Sequence, residues 1–350
     1  MKKILLTSLC ALFALTLSGA PKQDDPEAFA VKGKGIDYTG VYPAHIKTIA
    51  VITPASYPSP KNFNAGIALL RAAGLKVKVY PSATLKPEGL AKSSYASIPV
   101  ELRVKDFEAA WCDMENDLIL CSRGGIGTQD LVANINWEKL PRRPELYVLG
   151  CSDVTMLLSA LSAKGYGRPM AGPTLSSHPG LAPAIVPDMK KMLAGEEVKI
   201  KLKPVKPGDC SGKVVAGLLS RFVRVVKAGY GLETAGKIIV IESVGTNIPA
   251  RAQLDELLAA GFFKGASAVV FGHITRFSDK PKNLDAAINE FAQKVDIPVY
   301  RGFPFGHTAQ NLVIDFARPA EIKGNTILFR LSDVNFRLAQ HLYRYILPYL

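Results

Sequence analysis

Beyond residue 20 the sequence has no apolar run long enough to cross a bilayer, so no transmembrane segment is expected in the mature chain. Cysteine is scarce: Cys10, Cys112, Cys121, Cys151 and Cys210 are the five, and none stands in a CxxC spacing, so zinc and dithiol redox motifs are absent. Aromatic residues are 8% of the chain and only two are tryptophan. No Arg-rich arm and no aromatic ladder accompany them, so nucleic-acid binding is not expected. Negative charge is in deficit, with 30 Asp and Glu against 43 Lys and Arg, a formal net charge of +13. Such a surface favours polyanions, acidic membranes or negatively charged substrates.

What is present is an ordinary globular mixture, 48% hydrophobic and 21% charged over 350 residues. Single cores seldom grow past roughly 250 residues, so two domains are expected. Residues 1–20, "MKKILLTSLCALFALTLSGA", have the grammar of a signal peptide: a short basic start, an apolar stretch and a small-residue end. Export, in the sense of a periplasmic protein, is the expectation. Cys10 lacks the small neighbours of a lipoprotein site. Losing Lys2 and Lys3 with the signal lowers the net charge to about +11.

Residues 21–45 read as a loose leader. From 46 to 180 strands alternate with amphipathic helices: "IKTIAVITPAS", "LKVKVYP", "DLILCS" and "ELYVLGCS" are strands, and "NFNAGIALLRAAG", "RVKDFEAAWCDM", "TQDLVANINW" and "VTMLLSALSAKG" helices. That alternation predicts an α/β fold with a parallel sheet covered by helices on both faces. Residues 181–210 are rich in turn-forming residues, contain one short helix, and read as a linker. Residues 211–350 predict a smaller β-rich domain with strands at "KIIVIES", "ASAVVFGHI", "PVYRGF", "NLVIDFARPAEI" and "TILFRL". Helices are expected at "ARAQLDELLAAGFF" and "VNFRLAQHLYRYIL".

Chemistry in open α/β sheets collects at the carboxyl ends of strands. Ser122, Arg123, Ser152, Glu242 and His273 stand at such ends, with His307 in a loop. Ser152 follows Gly150 at a strand-to-helix corner, the setting of a nucleophile elbow. A serine there is also the usual helix N-cap, and on local grammar both readings stand. A serine nucleophile needs a base. His45, His178 and His341 sit where structural roles suffice, whereas His273 and His307 stay open as candidates. Glu242 closes the apolar "KIIVIE", either as the carboxylate orienting that base or pointing to water. "CSRGGIGTQ" supplies Gly124 and Gly125, which let a loop present bare N–H groups as an oxyanion donor or anion nest. No Lys-Ser/Thr follows, so it is not a P-loop.

Taken in order, "AVITPAS", "ELRVKDFEAAWCDMENDLILCSRGGIG", "NWEKLPRRPELYVLGCSDVT", "GKIIVIESVG", "ARAQLDELLAAGFFKGASAVVFGHI" and "FPFGHT" resemble the LD-carboxypeptidase family of serine peptidases, which includes the microcin C self-immunity hydrolases. The resemblance spans about residues 46–345. It implies a catalytic Ser152, Glu242 and His307, with His307 taking the place left open beside His273. It further implies an oxyanion hole from the backbone N–H groups of Asp153 and Gly125, and Arg123 and Gly124 as substrate-loop residues. The nucleophile would lie on the first domain, and Glu and His on the second. Neither metal nor cofactor is implied.

The chain departs from the family where a Tyr-Gly-x-x-Arg loop would continue: Ile126 and Asp130 occupy the Tyr and Arg positions. "HPGL" stands for the His-Gly-Pro segment, and Gly217-Leu218-Leu219 for Gly-Asn-Leu. By resemblance the expected partner is a murein (peptidoglycan) tetrapeptide, cleaved at an L-D bond to release D-alanine; a homodimer is compatible with the sequence. Two rivals remain: a hydrolase of another amidated compound such as a peptide-nucleotide antibiotic, and a non-catalytic periplasmic binding module.

Overall fold

A computed structural model describes residues 36–88, 95, 97–245, 250–276 and 281–331. The signal-like segment, the helix expected over 334–347 and His341 lie outside the described residues.

The first layer is built from β1 (Thr48–Ile52), α1 (Pro60–Ala72), β2 (Lys76–Val79), α2 (Val100–Cys112), β3 (Leu118–Cys121), α3 (Thr128–Asn134), β4 (Tyr147–Gly150), α4 (Thr155–Lys164) and β5 (Arg168–Ala171). Every residue of β1, β3, β4 and β5 is buried. Unbroken burial is what a parallel strand with helices on both faces demands. In α1, Pro60 begins the helix with φ already set, and Phe63, Gly66, Ile67 and Leu70 recur at helical spacing on the buried face.

The chain continues through α5 (Val186–Ala194), β6 (Val198–Lys201), β7 (Lys203–Lys206), β8 (Cys210–Leu218), α6 (Leu219–Lys227), β9 (Lys237–Val244), α7 (Ala250–Ala259), β10 (Ala268–Thr275), α8 (Pro281–Lys294), β11 (Val299–Arg301), β12 (Ile314–Asp315), β13 (Pro319–Lys323) and β14 (Thr326–Phe329). Six strands form one sheet in the order β12-β5-β4-β3-β1-β2, and eight form the other in the order β6-β14-β13-β8-β9-β10-β11-β7. The first is parallel except for β12. In the second, β8 to β11 are parallel and the flanking strands antiparallel. The expected fold class is therefore the observed one: a two-domain α/β protein with a parallel-strand sheet and a β-rich sheet.

Three expectations about the chain's organisation are corrected. The described end of the supposed leader is packed: Ile36, Tyr38, Val41 and Tyr42 are buried, and the Tyr42 hydroxyl meets His178 Nε2 at 2.8 Å. Residues 181–210 are no linker, because β6 and β7 form the two outer edges of the eight-stranded sheet. "VKIK" buries alternate residues, the signature of an edge strand one face of which is solvated. Finally, "NLVIDFARPAEI" is two strands in different sheets. β12 returns to the first sheet beside β5, where Arg168 donates to Asp315 Oδ2 at 2.7 Å, and β13 joins the second. The chain from 211 onward thus contributes to both sheets.

Candidate active site

β4 ends on the floor of the first sheet, and the chain must turn at once to start α4. Ser152 sits at that corner with φ +62°, the left-handed region that non-glycine residues seldom adopt. Holding it there costs about 1–3 kcal/mol, which the buried strand and helix on either side must supply. Ser152 is not a helix cap: Cys151 holds that place before the short turn 152–154 and Val154 before α4, neither with a side-chain cap bond. Gly124 from the neighbouring loop presses against the corner: a Cβ on it would lie 2.6 Å from Ser152 Cβ and 2.9 Å from Oγ.

Glu242 lies on β9, paired in register with Leu218 of β8, and is completely buried. Its Oε2 accepts a hydrogen bond from His307 Nδ1 at 2.9 Å. A carboxylate can only accept, so Nδ1 carries the proton and Nε2 of the neutral ring is left as the acceptor. Gly306, with φ +135°, lets the loop back this imidazole onto β9: a Cβ there would meet Glu242 Cβ at 3.0 Å and the His273 carbonyl at 3.1 Å. Among the described residues Glu242 Oε1 has no hydrogen-bond partner.

Ser152 and His307 line the same cleft, of about 860 Å³, together with Arg123, Gly124, Gly125 and Asn311. Among the described residues no hydrogen bond joins Ser152 Oγ to His307. His273, the other candidate, is on β10, where its Nε2 is buried without a partner among the described residues and it does not line this cleft. Burial holds its imidazole below the ordinary histidine range. His178 is fully buried and bonded to Tyr42 and to the Thr174 carbonyl, and His45 meets the Tyr147 hydroxyl at 3.3 Å. Ser122 is spent on Thr53, 2.7 Å away. Arg123 is buried, donates to the Tyr57 carbonyl at 3.0 Å and lies over the Tyr95 ring.

The glycine loop is clamped from several sides. Arg103 of α2 donates to the carbonyls of Gly127, Pro54 and Ile98. Ser56 N–H donates to the Gly124 carbonyl at 3.2 Å, and Ile126 N–H to Ser56 Oγ at 3.1 Å. Asp153 is buried beside the nucleophile candidate and accepts from Thr128 N–H at 2.8 Å and Arg221 Nε at 2.5 Å. Two contributors escaped the sequence. Asn311 accepts from Gly306 N–H at 3.3 Å and lies 3.9 Å from Cys151 Sγ, tying the histidine loop to the serine corner. Arg221 stands on α6; recognising "LSRFVRVVK" as a helix, with Leu219, Phe222, Val223 and Val225 buried, would have placed it on the face opposite the core.

A strained serine at a strand end, sharing a cleft with a histidine that a buried carboxylate orients, is one arrangement that serine-type hydrolases use, and this chain is a hydrolase of that class. Its two halves match the two domain models of one family: the LD-carboxypeptidase N-terminal domain over residues 49–170 and the LD-carboxypeptidase C-terminal domain over residues 211–322. The chain belongs to the LD-carboxypeptidase family. It is 25% identical over 286 residues to a probable murein peptide carboxypeptidase of Bacillus subtilis, spanning 78% of this chain and 88% of that one. It is likewise 25% identical over 299 residues to the murein tetrapeptide carboxypeptidase of Pseudomonas aeruginosa, with 80% and 94% covered. In fold it is similar to an MccF-like protein from Bacillus anthracis, with a TM-score of 0.71 at 19% identity over 81% of this chain and 97% of that one. Among the described residues no helix is long and apolar enough to cross a membrane.

Proposed function

We propose that this enzyme is an LD-carboxypeptidase of murein tetrapeptides, acting outside the cytoplasm through Ser152, His307 and Glu242. The observation that carries the reading is the 2.9 Å bond between His307 Nδ1 and the fully buried Glu242, in a cleft that Ser152 also lines. Ser152 Oγ attacks the carbonyl carbon of the terminal amide while His307 Nε2 takes its proton. Negative charge moves to the carbonyl oxygen, which the backbone N–H groups of Asp153 and Gly125 stabilise. Collapse of this intermediate breaks the C–N bond, His307 returns the proton to the leaving nitrogen, and D-alanine departs. Water, deprotonated by the same imidazole, then releases the shortened peptide from Ser152. Glu242 holds the ring in the required tautomer and stabilises its charged form between the two transfers. Hydrogen bonds of this kind tighten when substrate fills the cleft, which supplies the serine-to-histidine link.

The basic surface suits a substrate bearing several carboxylates. The two relatives named for murein peptides support the choice of substrate. A second reading, hydrolysis of another amidated compound such as a peptide-nucleotide antibiotic, is favoured by the departures at Ile126 and Asp130 in the glycine loop. Incubating the purified protein with murein tripeptide, tetrapeptide and pentapeptide, and separately with an aminoacyl sulfamoyl nucleoside, separates the two by mass spectrometry. Loss of one D-alanine from the tetrapeptide alone is the expected result; cleavage of the nucleoside conjugate alone would transfer the assignment.

A further inference from the structure

Arg221 belongs to α6, which follows β8 of the eight-stranded sheet, yet its guanidinium is used on the other half of the molecule. Nε donates to Asp153 Oδ1 at 2.5 Å, and Nη2 donates to the Gly125 carbonyl at 3.1 Å. These are the two residues assigned above to the oxyanion hole, so one side chain grips both. A neighbouring tie draws α6 against the same corner, since Leu218 N–H donates to Thr155 Oγ1 at 3.1 Å.

The geometry of the loop shows what this grip controls. The Gly124–Gly125 peptide has its carbonyl held by Ser56 N–H, and in a trans peptide the Gly125 N–H points the opposite way. The next peptide has its N–H held by Ser56 Oγ and its carbonyl held by Arg221. Without Arg221 the second peptide keeps its N–H bond to Ser56 Oγ but loses the hold on its carbonyl, and Gly125, at φ +114°, has no side chain to resist a tilt of that peptide.

Electrostatics adds a second demand. Asp153 is a buried carboxylate one residue from the serine, so unneutralised it opposes any negative charge that develops on a substrate oxygen bound at its own N–H. The glycine loop offers no cation at position 130, which is aspartate, and Arg123 is engaged with the Tyr57 carbonyl and the Tyr95 ring. Arg103 of α2 feels Asp153 through space, but the cation in direct contact with that carboxylate comes from across the interface, from Arg221.

Building on the triad reading, we propose that Arg221 is a positioning residue that aligns both oxyanion donors and neutralises Asp153, so that the hole is complete only when the two halves of the chain are docked. It borders the cleft, but its hydrogen bonds go to Asp153 and the Gly125 carbonyl and not to the Ser152 hydroxyl or the His307 ring. Its removal therefore lowers the rate of steps that build charge on the bound oxygen and leaves substrate affinity nearly unaltered.

The test uses a fluorophosphonate, which needs no knowledge of the natural substrate. Ser152 Oγ bonds to phosphorus, fluoride leaves, the serine proton passes to His307, and the phosphoryl oxygen occupies the oxyanion hole. The wild type is compared with Arg221→Met, Arg221→Lys and Ser152→Ala, each checked for an unfolding midpoint like that of the wild type. Arg221→Met is expected to react about 10–100-fold more slowly, as for a displaced oxyanion donor. Arg221→Lys, which keeps the charge but cannot span both partners, falls between. With the tetrapeptide, kcat drops by the same factor and KM hardly moves. A folded Arg221→Met protein that reacts at the wild-type rate overturns the inference while leaving the triad intact. Should that variant not fold, wild-type reactivity of Arg221→Lys overturns it equally. A wild type that is never labelled at Ser152 is a different result, and refutes the triad itself along with everything built on it.

Discussion

His307 donates Nδ1–H to Glu242 Oε2 across 2.9 Å, although the histidine is in a loop after β11 and the glutamate is on β9. The carboxylate is wholly buried, and among the described residues His307 is its sole hydrogen-bond partner. A buried carboxyl group must be hydrogen-bonded, and the imidazole supplies that bond. On the proposed mechanism the pair is a base whose orientation is set before substrate arrives.

Replacing Glu242 by glutamine keeps the shape and removes the charge. The amide can also turn its NH2 toward the ring and favour the wrong tautomer. The expected loss in kcat is about 10²–10⁴-fold with the fold preserved, measured by D-alanine release and by circular dichroism. Retention of most activity would show that the carboxylate is structural.

Gly124→Ala tests the crowding at the serine corner. The new methyl group would stand 2.6 Å from Ser152 Cβ, so either the loop or the serine must move. A shift on the order of 1 Å is expected to reduce kcat about 100-fold. The alanine itself needs no unusual backbone at this position, so thermal stability should change much less than activity does. Equal and large losses in both would point to a folding role for the glycine.

The buried pair Arg168–Asp315 fastens β12 to β5 and so holds the later part of the chain to the first sheet. Asp315→Asn leaves the arginine without its counter-charge in a buried setting. Denaturant unfolding should show a loss of about 3–5 kcal/mol. A loss below 1 kcal/mol would mean that solvent reaches the pair.

His178 gives the protein an acid-sensitive element directly behind the cleft wall that Thr174 and Ser177 form. Burial lowers its pKa to about 4, against 6.5 for the free side chain, and the hydrogen bond to the Thr174 carbonyl offsets this in part. The unfolded chain therefore binds a proton between those values that the folded chain refuses. Stability from this residue is complete above about pH 6.5 and lost progressively as pH falls toward 4, by roughly 2–3 kcal/mol. His178→Gln should flatten that part of the stability–pH curve, whatever it does to stability at neutral pH. An unchanged slope would contradict the assignment.

Thiol titration of the native protein should find Cys112 first, Cys210 more slowly, and neither Cys121 nor Cys151. The four cysteines among the described residues are free thiols, with Cys112 exposed and Cys121 and Cys151 buried. Burial pushes the Cys151 thiol up to about 12 and Cys121 higher still, which suppresses the reactive thiolate. Cys151 borders the cleft, so its slowness rests on burial and a suppressed thiolate, and rapid modification of it would contradict that reading.

Legibility followed hydrophobic pattern. β1, β3 and β4 are unbroken apolar runs, and α1 has helical spacing, so the first sheet could be read directly. Elements whose burial depends on a distant partner could not. β5 contains "RPMA", whose arginine is tolerable inside only because Asp315, far along the chain, comes to meet it. β8, α6 and α8 carry mixed polar and apolar residues, which hides them in the sequence and hides Arg221 with α6. In the site, Ser152 was visible as a strand-to-helix corner, but nothing local separated His307 from His273. That choice turned on the order of motifs along the chain. The structure sets only His307 against Glu242 and in the cleft.

The most direct test of the account is D-alanine release from murein tetrapeptide by the wild type and by Ser152→Ala, with acid-quenched enzyme mapped by mass spectrometry in parallel. The account predicts release and a transient acyl adduct on Ser152 in the wild type, and neither in a folded Ser152→Ala protein. Release by Ser152→Ala at the wild-type rate, or an adduct on any other residue, would contradict it.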